Sequence, residues 1–232
     1  MRTIGLIGGM SWESTAHYYA AINHEVARRM GGLHSAALIV HSVDFAPIAG
    51  MQTEGNWAAA GQILAEAARG LERAGADLIG LATNTMHHVA DAVTSATGLP
   101  FIHISDPTAD ALLADGFETV GLLGTRFTME MDFYKNGLVA RGLTPLVPDV
   151  GITNLNGIIY DELCRGIVTE PSRQIYLEAI SRLQARGAEA VILGCTEIAM
   201  LINDANSPLP VYDTTELHAL ALVDAALSNQ DD

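Results

Sequence analysis

Cysteine is scarce: Cys164 and Cys195 are the only two among 232 residues. They form no CxxC pair and sit at no Cys/His ligand spacing, so neither a disulfide framework nor a zinc site is expected, and a reducing compartment is. Basic residues are also few, 12 against 27 acidic ones, and the formal charge of −15 works against phosphate backbones and anionic membranes. Nucleic acid and membrane are therefore not expected partners. No apolar run approaches the ~18 residues that a membrane span needs. The opening MRTIGLIGGM passes from a short apolar stretch into glycines, without the hydrophobic region and cleavage site of a signal peptide, and a cytoplasmic protein is expected. The chain has no Pro/Gly/Ser-rich linker and no low-complexity tract, so its parts should be tightly joined. Eight histidines include no HxxxH or HExxH, and adjacent His87 and His88 should point apart, so no metal is expected. GLIGGM (5–10) is not GxGxxG, so no nucleotide cofactor is expected; its glycines more simply let the backbone approach a small ligand.

What is present is apolar and periodic. Hydrophobic residues make up 49% of the chain, ample for a core. Short apolar runs bounded by glycine alternate with segments of helical period, which predicts a parallel sheet covered by helices. TIGLIG (3–8) and SAALIVHS (35–42) read as strands. Between them Ser11 should cap a helix running through Arg29 and stopped by Gly31 and Gly32. Asn56 should cap the next helix, running to Gly75, with DLIGLAT following as a strand.

This plan occurs twice. TVGLLG (119–124) repeats TIGLIG, RGAEAVILGCTE (186–197) repeats AGADLIGLATNT (74–85), and LPVYDTTELHALAL (209–222) repeats LPFIHISDPTADAL (99–112). Three pairs in the same order argue for duplication. The fold expected is α/β, with two similar lobes related by a pseudo-twofold axis, each a short parallel sheet flanked by helices. The lobes should comprise residues 1–98 with 213–232, and 99–212. Ligands of open α/β sheets bind beyond the carboxyl ends of the strands, so a cleft between lobes is the expected site. There the repeats place Thr83 opposite Cys195.

Each of these residues has an ordinary reading. Free cysteine is often a small buried hydrophobe, yet Cys195 follows a strand-ending glycine and precedes Thr196 and Glu197, where a helix start would favour thiolate. Thr83 could be a helix cap, a duty Asn84 or Thr85 could equally take, or these three could cradle a carboxylate with their backbone N–H groups. Thr125 stands in the matching loop of the second repeat. Cys164, near the end of a helix stopped by Gly166, reads as structural.

Together GLIGGMSWEST (5–15), TNTMH (83–87), GLLGT (121–125) and GCTE (194–197) resemble the aspartate/glutamate racemases, in the branch of aspartate and broad-specificity amino-acid racemases. The resemblance runs nearly end to end. It implies cofactor-independent racemisation of a small amino acid and commonly a homodimer. Family members carry a cysteine in each lobe, and here Thr83 replaces the first. Inverting an α-carbon without a cofactor needs a base on one face and an acid on the other. An alcohol is a far weaker acid than a thiol, so Cys195 is expected as base and Thr83 as proton donor, directly or through water; the resemblance to branch members with threonine at this position implies a bias from L to D.

The resemblance further implies that Asn84, Thr85, Thr125 and Thr196 surround the substrate α-carboxylate and that Met10 and Gln52 line the cleft, with Ser11 and Glu197 behind these residues. Family members that select aspartate add an Arg after the second strand and a Lys in the helix at IIY. Here VDFAPIAGMQ (43–52) has neither cation, and Cys164 takes the lysine's place in IIYDELCRG (158–166). Arg126 and Arg165 are the nearby substitutes. Aspartate or glutamate is the leading substrate, with broad specificity next. Alternatives are a decarboxylase or isomerase of the superfamily using one cysteine, and a non-catalytic amino-acid-binding protein.

Overall fold

The structure, a computed structural model, describes residues 1–228. The chain divides into two units, residues 1–103 with the returning segment from 218, and residues 104–217. Both crossings fall a few residues beyond those expected from sequence. The first does so because the stretch around Phe101 still pairs with the first sheet, through a parallel bridge to Ile79.

The first unit contains β1 (Ile4–Gly8), α1 (Trp12–Met30), β2 (Leu38–Ser42), α2 (Phe45–Glu54), α3 (Trp57–Arg73), β3 (Leu78–Leu81) and α4 (Ala90–Thr94). Its strands are parallel in the order β2-β1-β3. Ser11 caps α1 by accepting from the Ser14 amide, and Gly31 ends it. Asn56 caps α3 through the Ala59 amide. Helix α2 was not foreseen. Asp44 caps it, and Pro47 is tolerated because it lies in the first turn.

Strand alternation sorts the core. Ile7, Ile79 and Leu81 pack on one face against Leu64, Ala68 and Leu71 of α3. Ile4, Leu6 and Leu78 pack on the other against Tyr18, Ile22 and Val26 of α1 and against Leu222 and Val223. Each fully buried aliphatic side chain contributes about 1.5–3 kcal/mol. Gly80 leaves the room that Leu222 fills, since a Cβ there would lie 2.6 Å from its Cδ1.

The second unit contains α5 (Ser105–Ala114), β4 (Thr119–Gly124), α6 (Arg126–Glu130), α7 (Asp132–Ala140), β5 (Thr144–Leu146), α8 (Ile152–Asp161), α9 (Glu170–Ala185), β6 (Ala190–Gly194) and β7 (Val211–Asp213). Its parallel sheet runs β5-β4-β6-β7. Leu123, Val191 and Leu193 face α8 and α9, whereas Val120, Leu122 and Ile192 face α5 and α7. Helix α10 (Thr214–Leu227) follows β7 and supplies the first unit's returning segment.

The two sheets share one topology. In each the first strand is flanked by the second and the third. The backbone after Pro210 pairs with β6 as that after Pro100 pairs with β3, with Val191 N donating to Pro210 O at 2.9 Å and Ile79 N to Pro100 O at 2.8 Å. Among the described residues no helix is long and apolar enough to cross a membrane.

Candidate active site

In the first unit the polar turn follows β3. The Ala82 amide still donates to Ile7 O, and the Thr83 amide turns back onto Leu81 O at 2.8 Å, which bends the chain sharply. A single 3-10 turn over Thr85–Val89 comes next, not the α-helix expected, and Asn84 at its start makes no side-chain cap. Thr83 is half-buried, and Asn84 and Thr85 are buried. Two side chains hold the bend from behind: the Ser14 hydroxyl donates to Ala82 O at 3.4 Å, and His87 Nδ1 lies 2.8 Å from Thr83 O.

The turn after β1 is fixed in a similar way. The Gly9 amide donates to Thr15 Oγ1 at 2.7 Å, and the Thr15 hydroxyl donates to Ser11 O. Met10 is buried in the cluster that contains Ile48 and Met86. Gln52, on α2, is buried and its amide donates to Met86 Sδ at 3.0 Å. Within this unit the structure therefore groups Met10 and Gln52 around Met86, two residues from Asn84 in the TNT turn. The adjacent histidines have different partners: His88 meets the Trp57 ring edge-on, whereas His87 meets Phe101, His103 and His218.

In the second unit β4 and β6 end side by side at Gly124 and Gly194, which are register partners. A Cβ on Gly124 would lie 2.9 Å from Gly194 O, and one on Gly194 would lie 2.8 Å from Leu123 O, so only glycine permits this approach. Thr125 and Cys195 follow these glycines and are thereby placed at neighbouring strand ends. The Thr125 hydroxyl caps α6 through the Thr128 amide. Thr196 Oγ1 lies 3.0 Å from Thr215 Oγ1, and Thr214 donates to Leu193 O, so the start of α10 is laced to the β6 turn. Neither Thr215 nor Ser14 was anticipated; each is an unremarkable hydroxyl near a helix start, and only the fold shows what it reaches.

Cys195 is partly buried, and its Sγ donates to Glu197 Oε2 at 2.8 Å. The turn that follows, Thr196–Met200, is 3-10. Here the structure corrects the sequence reading. Burial first, and then the charge and hydrogen bond of Glu197, push the thiol's pKa well above its ordinary value, so the helix start does not make a resting thiolate. Cys195 rests as an acid, and it can become a base by passing its proton to the carboxylate it already touches. Cys164 lies on the 3-10 turn Leu163–Arg165 and packs against the same core as Cys195.

The two substitute cations are not buried. The Arg165 side chain is 67% exposed and 3.9 Å from Asp161; that of Arg126 is 54% exposed and 3.8 Å from Glu130. Neither is a desolvated clamp in this structure.

Two α/β units of one topology, with an alcohol and a thiol at equivalent strand ends, define a duplicated α/β enzyme. The chain belongs to the Asp/Glu/hydantoin racemase family, whose model matches residues 7–222, and it is an amino-acid racemase, an isomerase. It is similar to a Yersinia pestis crystal structure given the provisional name Asp/Glu racemase, at 48% identity over 98% of this chain and 100% of that one, with a TM-score of 0.92. It is also similar to the crystal structure of an aspartate racemase homologue from Pyrococcus horikoshii, at 36% identity over 98% and 100% of the chains and a TM-score of 0.84. The broad specificity amino-acid racemase RacX of Bacillus subtilis is 23% identical over 164 residues, 69% of each chain.

Proposed function

We propose that this racemase inverts the α-carbon of aspartate and glutamate, accepts other amino acids as well, and runs preferentially from L to D without a cofactor. The observation that carries this reading is the Cys195–Glu197 pair, 2.8 Å between Sγ and Oε2, in the turn after β6, whose counterpart after β3 in the first unit holds Thr83. Glu197 takes the thiol proton, the thiolate removes the α-proton of the L-amino acid, Thr83 delivers a proton, directly or through water, to the opposite face, and water carries the proton held by Glu197 back to Thr83 before the next turnover. The reverse direction needs an alcohol as base, which is weak at neutral pH. Asn84, Thr85, Thr125 and Thr196 supply the hydrogen bonds to the α-carboxylate, and Met10 and Gln52 bound the site, with Ser11 holding the turn beside Met10.

Acidic substrates are supported by the names of the relatives in Yersinia pestis and Pyrococcus horikoshii. Breadth is supported by the exposure of Arg126 and Arg165, because selection of an acidic side chain relies on charge-assisted hydrogen bonds from fixed cations. We further infer a homodimer in the cytoplasm, consistent with the resemblance and the scarcity of cysteine. A panel of L- and D-amino acids in deuterated buffer, followed by NMR for loss of the α-proton, tests the reading. Exchange of aspartate and glutamate, faster from the L-enantiomers, is expected; no exchange across the panel would leave a binding protein.

A further inference from the structure

Behind Thr83 lies a buried group of rings that the chemistry above does not use. His87 is 2% exposed and His218 is 0% exposed. The His87 ring stands 4.6 Å from that of His103 and 5.8 Å from that of His218, both edge-on, and 5.6 Å from Phe101. Elementary donor rules fix the protons. A backbone carbonyl only accepts, so the 2.8 Å contact to Thr83 O places a proton on His87 Nδ1. His218 Nε2, 2.9 Å from Ile102 O, must likewise carry a proton, and in the neutral ring its Nδ1 then accepts from the Tyr18 hydroxyl at 2.8 Å.

We propose that His87 is a positioning residue for the Thr83 side of the reaction. Its Nδ1–H holds the Thr83 carbonyl, and His218, His103 and Phe101 hold the His87 ring. The inference rests on the reading of Thr83 as proton donor. Three parts of the first unit meet in this group: α1 through Tyr18, the segment 101–103, and the start of the returning segment through His218. The Ser14 bond to Ala82 O and the His87 bond to Thr83 O seize consecutive carbonyls of the bend, and rotation of either peptide would swing the Thr83 hydroxyl away. Burial, followed by neighbouring histidines, holds the His87 pKa well below the ordinary range, so the ring stays neutral and in one tautomer at physiological pH. An apolar side chain would fill the same space without the desolvation that a buried imidazole costs. What it could not do is donate to Thr83 O.

The test compares three variants at this position with Thr83→Ala, using L-aspartate and L-glutamate in deuterated buffer, reading inversion by chiral analysis and α-proton exchange by NMR. In His87→Asn the amide nitrogen reaches where Nδ1 stood; in His87→Gln and His87→Ala no donor is there. Displacement of a reacting group by about 1 Å costs up to a hundredfold. His87→Gln and His87→Ala should therefore lose ten- to a hundredfold in inversion while exchange on the Cys195 side stays within about threefold, and His87→Asn should recover most of the inversion. Parallel loss of inversion and exchange in His87→Gln, or no advantage of Asn over Gln, overturns the inference. If Thr83→Ala itself leaves the ratio of inversion to exchange unchanged, the reading of Thr83 as donor is what has failed.

Discussion

Cys195 Sγ and Glu197 Oε2, separated by 2.8 Å, form an acid–base pair within one turn of chain. Burial raises the thiol pKa first and their closeness raises it further, while the same closeness provides the acceptor that lets the thiol act as a base. Glu197→Gln separates these effects. Removing the carboxylate charge should lower the thiol pKa, so alkylation of Cys195 by iodoacetamide at neutral pH should quicken. Racemisation should nevertheless fall, by roughly a hundredfold, because the proton has no acceptor. Slower alkylation together with slower turnover would contradict this account of Glu197.

The alcohol–thiol asymmetry gives a second expectation. Cys195→Ala should abolish α-proton exchange from the L-enantiomer, whereas Thr83→Ala should retain exchange and lose inversion. Thr83→Cys, if the sulfur fits, should raise turnover of the D-enantiomer. Exchange and chiral product analysis in the same deuterated buffer check all three, and equal loss of exchange in the two alanine variants would assign Thr83 to structure alone.

The glycine pair that ends β4 and β6 makes a third. In Gly124→Ala the new Cβ would lie 2.9 Å from Gly194 O and 3.0 Å from Thr128 Cβ, with backbone and a packed side chain as the obstacles. Overpacking of this kind costs about 1–3 kcal/mol. Chemical denaturation should register that loss, and because Thr125 and Cys195 ride on the separated strand ends, turnover should drop further than stability explains.

Buried imidazoles predict a pH dependence of stability. His218 is held at about 4, below its ordinary 6.5, by burial, with the His103 charge adding to the effect. The unfolded chain therefore binds a proton near pH 6.5 that the folded chain refuses until about pH 4, so this contribution is complete above 6.5 and is lost as pH falls toward 4. Its size is about 3 kcal/mol. Urea unfolding at pH 7 and pH 4.5 should show the wild type losing more stability across the window than His218→Gln, whose amide can still donate to Ile102 O.

Local chemistry was readable from the sequence and distant chemistry was not. Ser11 and Asn56 declare their helices because a cap depends on residues three positions away. The alternation of strand and helix placed Thr83 and Cys195 beyond the third strand of each repeat because that pattern depends only on period. The Asp44 cap before a first-turn Pro47 was a usable sign of α2 that the strand-helix alternation obscured. The state of the Cys195 thiol was misjudged because it depends on burial, which no short window contains. The roles of His87 and His218 were hidden for the same reason: their partners lie on segments brought together only by the fold.

Helix α10 has a consequence for how the chain comes together during synthesis. Residues 104–217 form a continuous unit, complete once β7 and the first residues of α10 have emerged, whereas the unit that begins with Met1 waits for the returning segment from 218 onward. Until then Ile4, Leu6 and Leu78 lack Leu222 and Val223, and Tyr18 lacks His218. The half made second can close before the half made first, leaving one face of the opening sheet covered by α1 alone until α10 arrives. A ribosome-bound chain would thus hold the His87 ring without its His218 neighbour until the returning segment has emerged.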